Sequence, residues 1–163
     1  MRVLIAYRSK YGTTEACARA LAAGIRAETE LADLKSRRVP PVRGFDVILV
    51  GGSIYGGGIQ REVSWFCERN EELLLQRAVG LFICCFYQGE RAQVQIREAF
   101  PAALHAHAFS RAHLGGALRF GRLTLLDRIL VRSLTRPAAD IDLVKGEAIA
   151  QLAADVNGIV AGT

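Results

Sequence analysis

The 163-residue sequence has no Gly-Lys-Ser/Thr run, which excludes the phosphate loop of the nucleoside triphosphatases. Its first glycine-bearing turn has one glycine rather than three, so the dinucleotide fingerprint is missing too. Four cysteines, Cys17, Cys67, Cys84 and Cys85, fall into no CxxC or zinc spacing. They read as reduced thiols used as small core residues. His105, His107 and His113 have no Cys, Asp or Glu near them in sequence to complete a ligand set, so no metal site is expected. No apolar run is long enough to cross a bilayer, and no signal-peptide layout precedes the first apolar segment. A cytoplasmic chain is the resulting expectation. Aromatics are few, 7% of residues, and none are interleaved with the basic residues, which argues against nucleic acid.

What is present is ordinary globular composition, 51% hydrophobic and 23% charged, in a length that suits one domain, residues 1–163. The net charge of +5 favours anionic partners. Short apolar runs alternate with helical stretches. Residues 2–7, 28–34, 45–50, 78–86 and 114–120 read as strands, residues 35–44 as a connection, and helices are expected after the first turn and over 60–75, 92–104 and 144–161. This alternation demands a parallel sheet with helices on both faces. The doubly wound order 2-1-3-4-5 brings the turns after the first and third strands together at the switch point.

Those two turns carry the distinctive residues. After the first strand comes Arg8-Ser9-Lys10-Tyr11-Gly12-Thr13-Thr14, then a helix. Free amides and the positive end of a helix dipole suit such a turn to a phosphate. After the third strand, Gly51 to Gly58 holds five glycines around Ser53, Ile54 and Tyr55, and reads as a loop.

Ile5, Tyr7, Ser9, Gly12, Thr14, Ala18 and Leu21 fall where the flavodoxin family places the residues of its FMN phosphate loop, and the chain resembles that family over nearly its whole length. The resemblance implies a five-stranded flavodoxin-like α/β fold and FMN as cofactor. Ser9, Lys10, Tyr11, Gly12, Thr13 and Thr14 would wrap the phosphate, although Tyr11 stands where flavodoxins often place a threonine. Ser53, Ile54, Tyr55, Gly56 and Gly57 would form the second flavin loop, with Tyr55 against the ring. Phe86, Tyr87, Gln88 and Gly89 would cover its other face, with Tyr87 the first choice.

Residues 119–139 interrupt the pattern near the fifth strand. Leu123, Leu126, Ile129, Leu130 and Leu134 make one helical stripe, and residues 119–136 hold five arginines against one acid. Such a segment packs on its own domain or docks on an anionic membrane surface or partner. Gly52-Ser53-Ile54-Tyr55-Gly56, Gly116 to Phe120 and Asp127-Arg128 are similar to the flavodoxin-like, quinone-linked protoporphyrinogen oxidases. That resemblance implies an FMN enzyme passing electrons from substrate to a quinone, in heme biosynthesis, on the inner membrane face. Arg119, Arg122, Arg128 and Arg132 would then meet substrate carboxylates or the membrane. Two other functions fit the same sequence: a soluble electron carrier serving redox partner proteins, and a flavodoxin-fold interaction module without FMN. No acid–base catalytic residue stands out.

Overall fold

Four aliphatic residues in a row, followed by a tyrosine, leave the first strand no polar face, and the chain buries it on both sides. In the computed structural model, which describes residues 1–118 and 141–162, β1 (Arg2–Arg8) has Val3, Leu4, Ile5 and Ala6 fully buried. It pairs in parallel with β2 (Glu28–Asp33) on one side and β3 (Val47–Tyr55) on the other. Beyond β3 lie β5 (Ala78–Cys84) and β6 (Ser110–His113), both parallel, so the sheet runs β2-β1-β3-β5-β6. A short strand, β4 (Gly58–Ile59), folds back antiparallel on the end of β3 and stands off this path. The path is the doubly wound one expected from the alternation of elements.

The helices divide between the two faces. On one face α1 (Thr13–Gly24) and α5 (Gly146–Ala161) bring Cys17, Leu21, Leu152 and Val156 against Val3, Ile5, Leu49 and Phe82. On the other, α2 (Arg61–Leu74), α3 (Gly89–Ala99) and α4 (Ala102–His107) pack Phe66, Cys67, Ile96 and Leu104 on Leu4, Ile48, Leu81 and Ile83. Strand residues alternate between the two layers, as the pleat requires. Cys17, Cys67, Cys84 and Cys85 are all buried free thiols. Burial raises the Cys67 thiol to about 12.

Several element boundaries differ from the sequence expectation, each for a physical reason. Gly51 to Tyr55 is strand rather than loop. The backbone of β3 continues through Gly51 and Gly52 because Phe82 and Gln60 stand where side chains would go: a Cβ on Gly51 would lie 2.4 Å from the Phe82 ring. The real turn is Gly56-Gly57, with φ of 61° and 84°, a two-residue hairpin link that needs left-handed backbone at both positions. The long helix expected over 92–104 is two helices, because Pro101 cannot continue α3 and instead opens α4. The fifth strand of the sheet is Ser110–His113, a polar edge strand, and not 114–120. Leu114 is buried, Gly115 turns the chain with φ 78°, and β7 (Ala117–Leu118) pairs antiparallel with β8 (Ile141–Asp142) in a separate two-stranded ribbon. The basic segment with Arg119, Arg122, Arg128 and Arg132 lies outside the described residues. No helix among the described residues is long and apolar enough to cross a membrane.

Candidate functional site

The turn between β1 and α1 is shaped by Gly12, whose φ of 94° is a conformation costly to any residue with a Cβ. Gly12 donates its N–H to Ser9 Oγ at 3.0 Å, which closes the turn. No side chain caps the start of α1, so its first amides keep their donors for a ligand or water. The three hydroxyls expected here behave differently. Ser9 Oγ accepts within the turn. Thr13 Oγ1 donates across to the Ala117 carbonyl at 3.1 Å and ties the turn to the β7–β8 ribbon. Thr14 is fully buried, with its Oγ1 against the Cys84 thiol, a contact that lowers the thiol's pKa. Cys84 and Cys17 share a thiol–thiol hydrogen bond in the same place, which together with burial pushes the Cys84 thiol well up.

Arg8 anchors the turn from behind, a role the sequence did not reveal. Its Nε donates to Glu62 Oε1 at 3.1 Å, its Nη1 stands 4.0 Å from Asp33 Oδ1, and the same nitrogen donates to the Ser9 carbonyl. Burial pushes the Glu62 carboxyl up, but the backbone hydrogen bond at the start of α2 and the Arg8 guanidinium outweigh it and hold the group below its ordinary value. Two carboxylates therefore take up the Arg8 charge.

The β3–β4 hairpin meets this turn from the side. The Tyr11 and Tyr55 rings are 6.1 Å apart at 62°, edge to face, and Lys10 Nζ sits 3.5 Å from the Tyr55 ring centroid and 5.1 Å from that of Tyr11. Ser53 is fixed by Gln60, whose Oε1 accepts the Ser53 N–H at 3.0 Å and whose Nε2 donates to Ser53 Oγ. Ile54 pairs with Ile59 across the hairpin and packs on the core. Gly56 and Gly57 have open space on their Cα positions.

At the end of β5, Phe86 and Tyr87 lie beyond the strand and are 42% and 44% exposed. Gln88 precedes α3, and Gly89 opens it with φ 56°. Cys85 donates its N–H to the Gly115 carbonyl, and Gly116 packs on the Cys85 carbonyl, so the far side of this rim is built by the β6–β7 connection. A hollow of about 360 Å³ borders Tyr87, Glu90, Arg91 and Val94. A second of about 360 Å³ follows the open edge of β6 past His113, Lys145 and Asp155. There the Cys85 carbonyl accepts His113 Nε2–H at 3.0 Å, which leaves Nδ1 to accept from Lys145 Nζ at 3.2 Å. Burial lowers the His113 pKa; the carbonyl opposes this and Lys145 adds to it. His105 and His107 lie on α4, not on a strand face, and no group of three potential metal-ligating side chains occurs among the described residues.

A parallel sheet wound in both directions, with an amide-rich turn after its first strand and an aromatic hairpin after its third, defines a crevice-binding α/β protein. Residues 4–142 match the flavodoxin domain family, and the chain belongs to that family. Solved structures agree in fold. An archaeal flavodoxin is 14% identical, with 99% of each chain covered and a TM-score of 0.57. A flavodoxin of Streptococcus pneumoniae TIGR4 is 14% identical over 98% of this chain and 99% of its own, with a TM-score of 0.57. The rubredoxin oxygen:oxidoreductase of Desulfovibrio gigas is 18% identical over 95% of this chain, with a TM-score of 0.55, and this chain spans 37% of its length. No curated protein matches the chain in sequence.

Proposed function

We propose that the crevice binds FMN and that the protein is an FMN-dependent oxidoreductase of the protoporphyrinogen oxidase type. The observation that carries the FMN reading is the turn itself. It offers uncapped amides, a left-handed Gly12 that brings the backbone close, and a buried Thr14 hydroxyl whose neighbour is the Cys84 thiol, a weak hydrogen-bonding group. A phosphate dianion is the kind of group such a turn accepts. FMN, when bound, supplies reversible acceptance of two electrons. The chain supplies the rest. Ser9, Lys10, Tyr11, Gly12, Thr13 and Thr14 hold the phosphate end, with Thr13 also bracing the β7–β8 ribbon. Ser53, Ile54, Tyr55, Gly56 and Gly57 present an aromatic face and a flexible peptide. Phe86, Tyr87, Gln88 and Gly89 form the opposite rim.

The oxidase reading rests on charge. The chain is basic, and cations beside a flavin raise its potential, which suits oxidation of a substrate with delivery of electrons to a quinone. Arg119, Arg122, Arg128 and Arg132 would meet the carboxylates of a porphyrinogen or an anionic membrane surface, placing the protein at the inner membrane face. An absorption spectrum of the purified protein tests the cofactor: a bound yellow flavin is expected, and a colourless protein that takes up no FMN overturns the reading. Porphyrinogen turnover that needs both quinone and lipid tests the reaction. A second reading, a soluble electron carrier, draws on the exposed Phe86 and Tyr87, an apolar rim suited to brief contact with a redox protein. Fast electron exchange with a reductase and no porphyrinogen turnover would select it.

A further inference from the structure

Arg8 is the last residue of β1 to pair with β3, opposite Gly52. Past this pair the β1–β3 ladder ends, and the turn before α1 and the β3–β4 hairpin continue as the two separate walls of the crevice. From the contacts of its side chain we infer that Arg8 is a positioning residue that sets the spacing between those walls, and thereby the fit of a ligand that touches both. The inference rests on the reading that the crevice binds FMN, with the phosphate end on the turn and the ring end on the hairpin.

The guanidinium is held from both sides. Its Nη1 donates to the Ser9 carbonyl inside the turn, and its Nε donates to Glu62 Oε1 at 3.1 Å. Glu62 stands in the first turn of α2, two residues after Gln60, whose side chain clasps Ser53 on β3. One planar group therefore bridges the turn and the segment that fixes the hairpin. Asp33, at the end of β2, lies 4.0 Å from Nη1 and is itself fixed by the Lys35 N–H at 2.9 Å. The Arg8 side chain is only 15% exposed, so salt screens its bond to Glu62 less than it would an exposed pair. Arginine suits this place because its donors leave one rigid plane in fixed directions, whereas a lysine ammonium is a single point on a flexible stem. The Tyr11 and Tyr55 rings also meet between the walls, but edge contacts of this kind tolerate centroid distances of about 4.5–7 Å and set no single spacing.

Spacing matters because FMN is two ligands on one linker. Once one end is bound, the other binds at an effective concentration that is greatest when the linker matches the distance between its two subsites. A strut between the walls therefore helps the joined molecule and does little for its separate halves.

The test compares the whole ligand with its halves on the full chain freed of flavin. Calorimetry reads FMN; NMR titration reads lumiflavin, the ring without its ribityl phosphate, and inorganic phosphate. In Arg8→Met, FMN affinity falls about tenfold while affinity for each half changes by less than about twofold. Arg8→Lys, with its charge kept and its fork lost, recovers part of that loss. Glu62→Gln, which alters the far end of the strut, gives the same pattern at about threefold, so the test stands even where an Arg8 variant fails to fold. General loosening of the site would weaken the halves as well. A loss for FMN no larger than the combined losses for lumiflavin and phosphate overturns the role of Arg8 and leaves FMN binding intact. A wild-type chain that does not bind FMN removes the FMN reading itself.

Discussion

The crevice and the far edge of the sheet are built in opposite ways. At the crevice, each wall is closed first by a local contact, Gly12 N–H to Ser9 Oγ in the turn and Ile54 with Ile59 in the hairpin, and Arg8 and Thr13 then tie the turn to distant elements. At the far edge, the structure is stitched from distant pieces. Leu114 donates to Ile83, Cys85 to Gly115, Leu143 to Gly116 and Lys145 to Leu114. Local closure suits a site that must admit a ligand. Long-range stitching suits an edge where the sheet would otherwise end in unpaired backbone.

Four substitutions press on that contrast. Gly115→Ala should have the largest effect, a loss of about 2–5 kcal/mol in denaturant unfolding, because the new Cβ meets left-handed strain and a backbone clash together. Its Cβ would lie 1.8 Å from the Leu143 carbonyl oxygen, at φ 78°, and that carbonyl belongs to the stitched edge. Wild-type stability in this variant would show that the edge is not rigid. Gly51→Ala comes next, at about 1–3 kcal/mol, because the obstacle is a side chain that can yield. Pairing it with Phe82→Leu should recover part of the loss, since Phe82 is what the Cβ meets. Gly56→Ala, in the open hairpin turn, meets nothing within 4 Å, so it carries only the strain of its φ of 61°, about 1–2 kcal/mol.

The smallest effect is one of pH. His113 is held below the ordinary histidine value, so the unfolded chain binds its proton more readily than the folded one. Stability from this group is present above the unfolded value, about 6.5, and is lost as pH falls below it. His113→Gln should flatten that part of the stability curve between pH 7 and 5. An unchanged slope would assign the effect elsewhere, with His105, also lowered by burial and by Arg111, the next group to replace.

The same contrast explains what could be read from residues alone. The strands β1, β3 and β5 are apolar runs, and apolar runs announce themselves; so the sheet order and the pairing of the two crevice turns were legible. The fifth strand was not. Ser110-Arg111-Ala112-His113 is polar because it pairs on one side only, and the more apolar 114–120 drew the assignment. The glycines of β3 misled for a related reason. A glycine signals backbone freedom or close approach with the same letter, and only the position of Phe82 decides between them at Gly51. Arg8 escaped notice because its partners, Asp33 and Glu62, come from two other elements.

The hydroxyl of Thr14 has a consequence for how the protein endures. A buried hydroxyl whose neighbour is a thiol, a weak hydrogen-bonding group, is under-served by about 1 kcal/mol. Thr14→Val should remove it and give a protein that melts later than the natural one, yet gains less from saturation with a dianion. The natural chain would then be tuned to lean on its guest, sturdy when loaded and the first to unravel when starved of it.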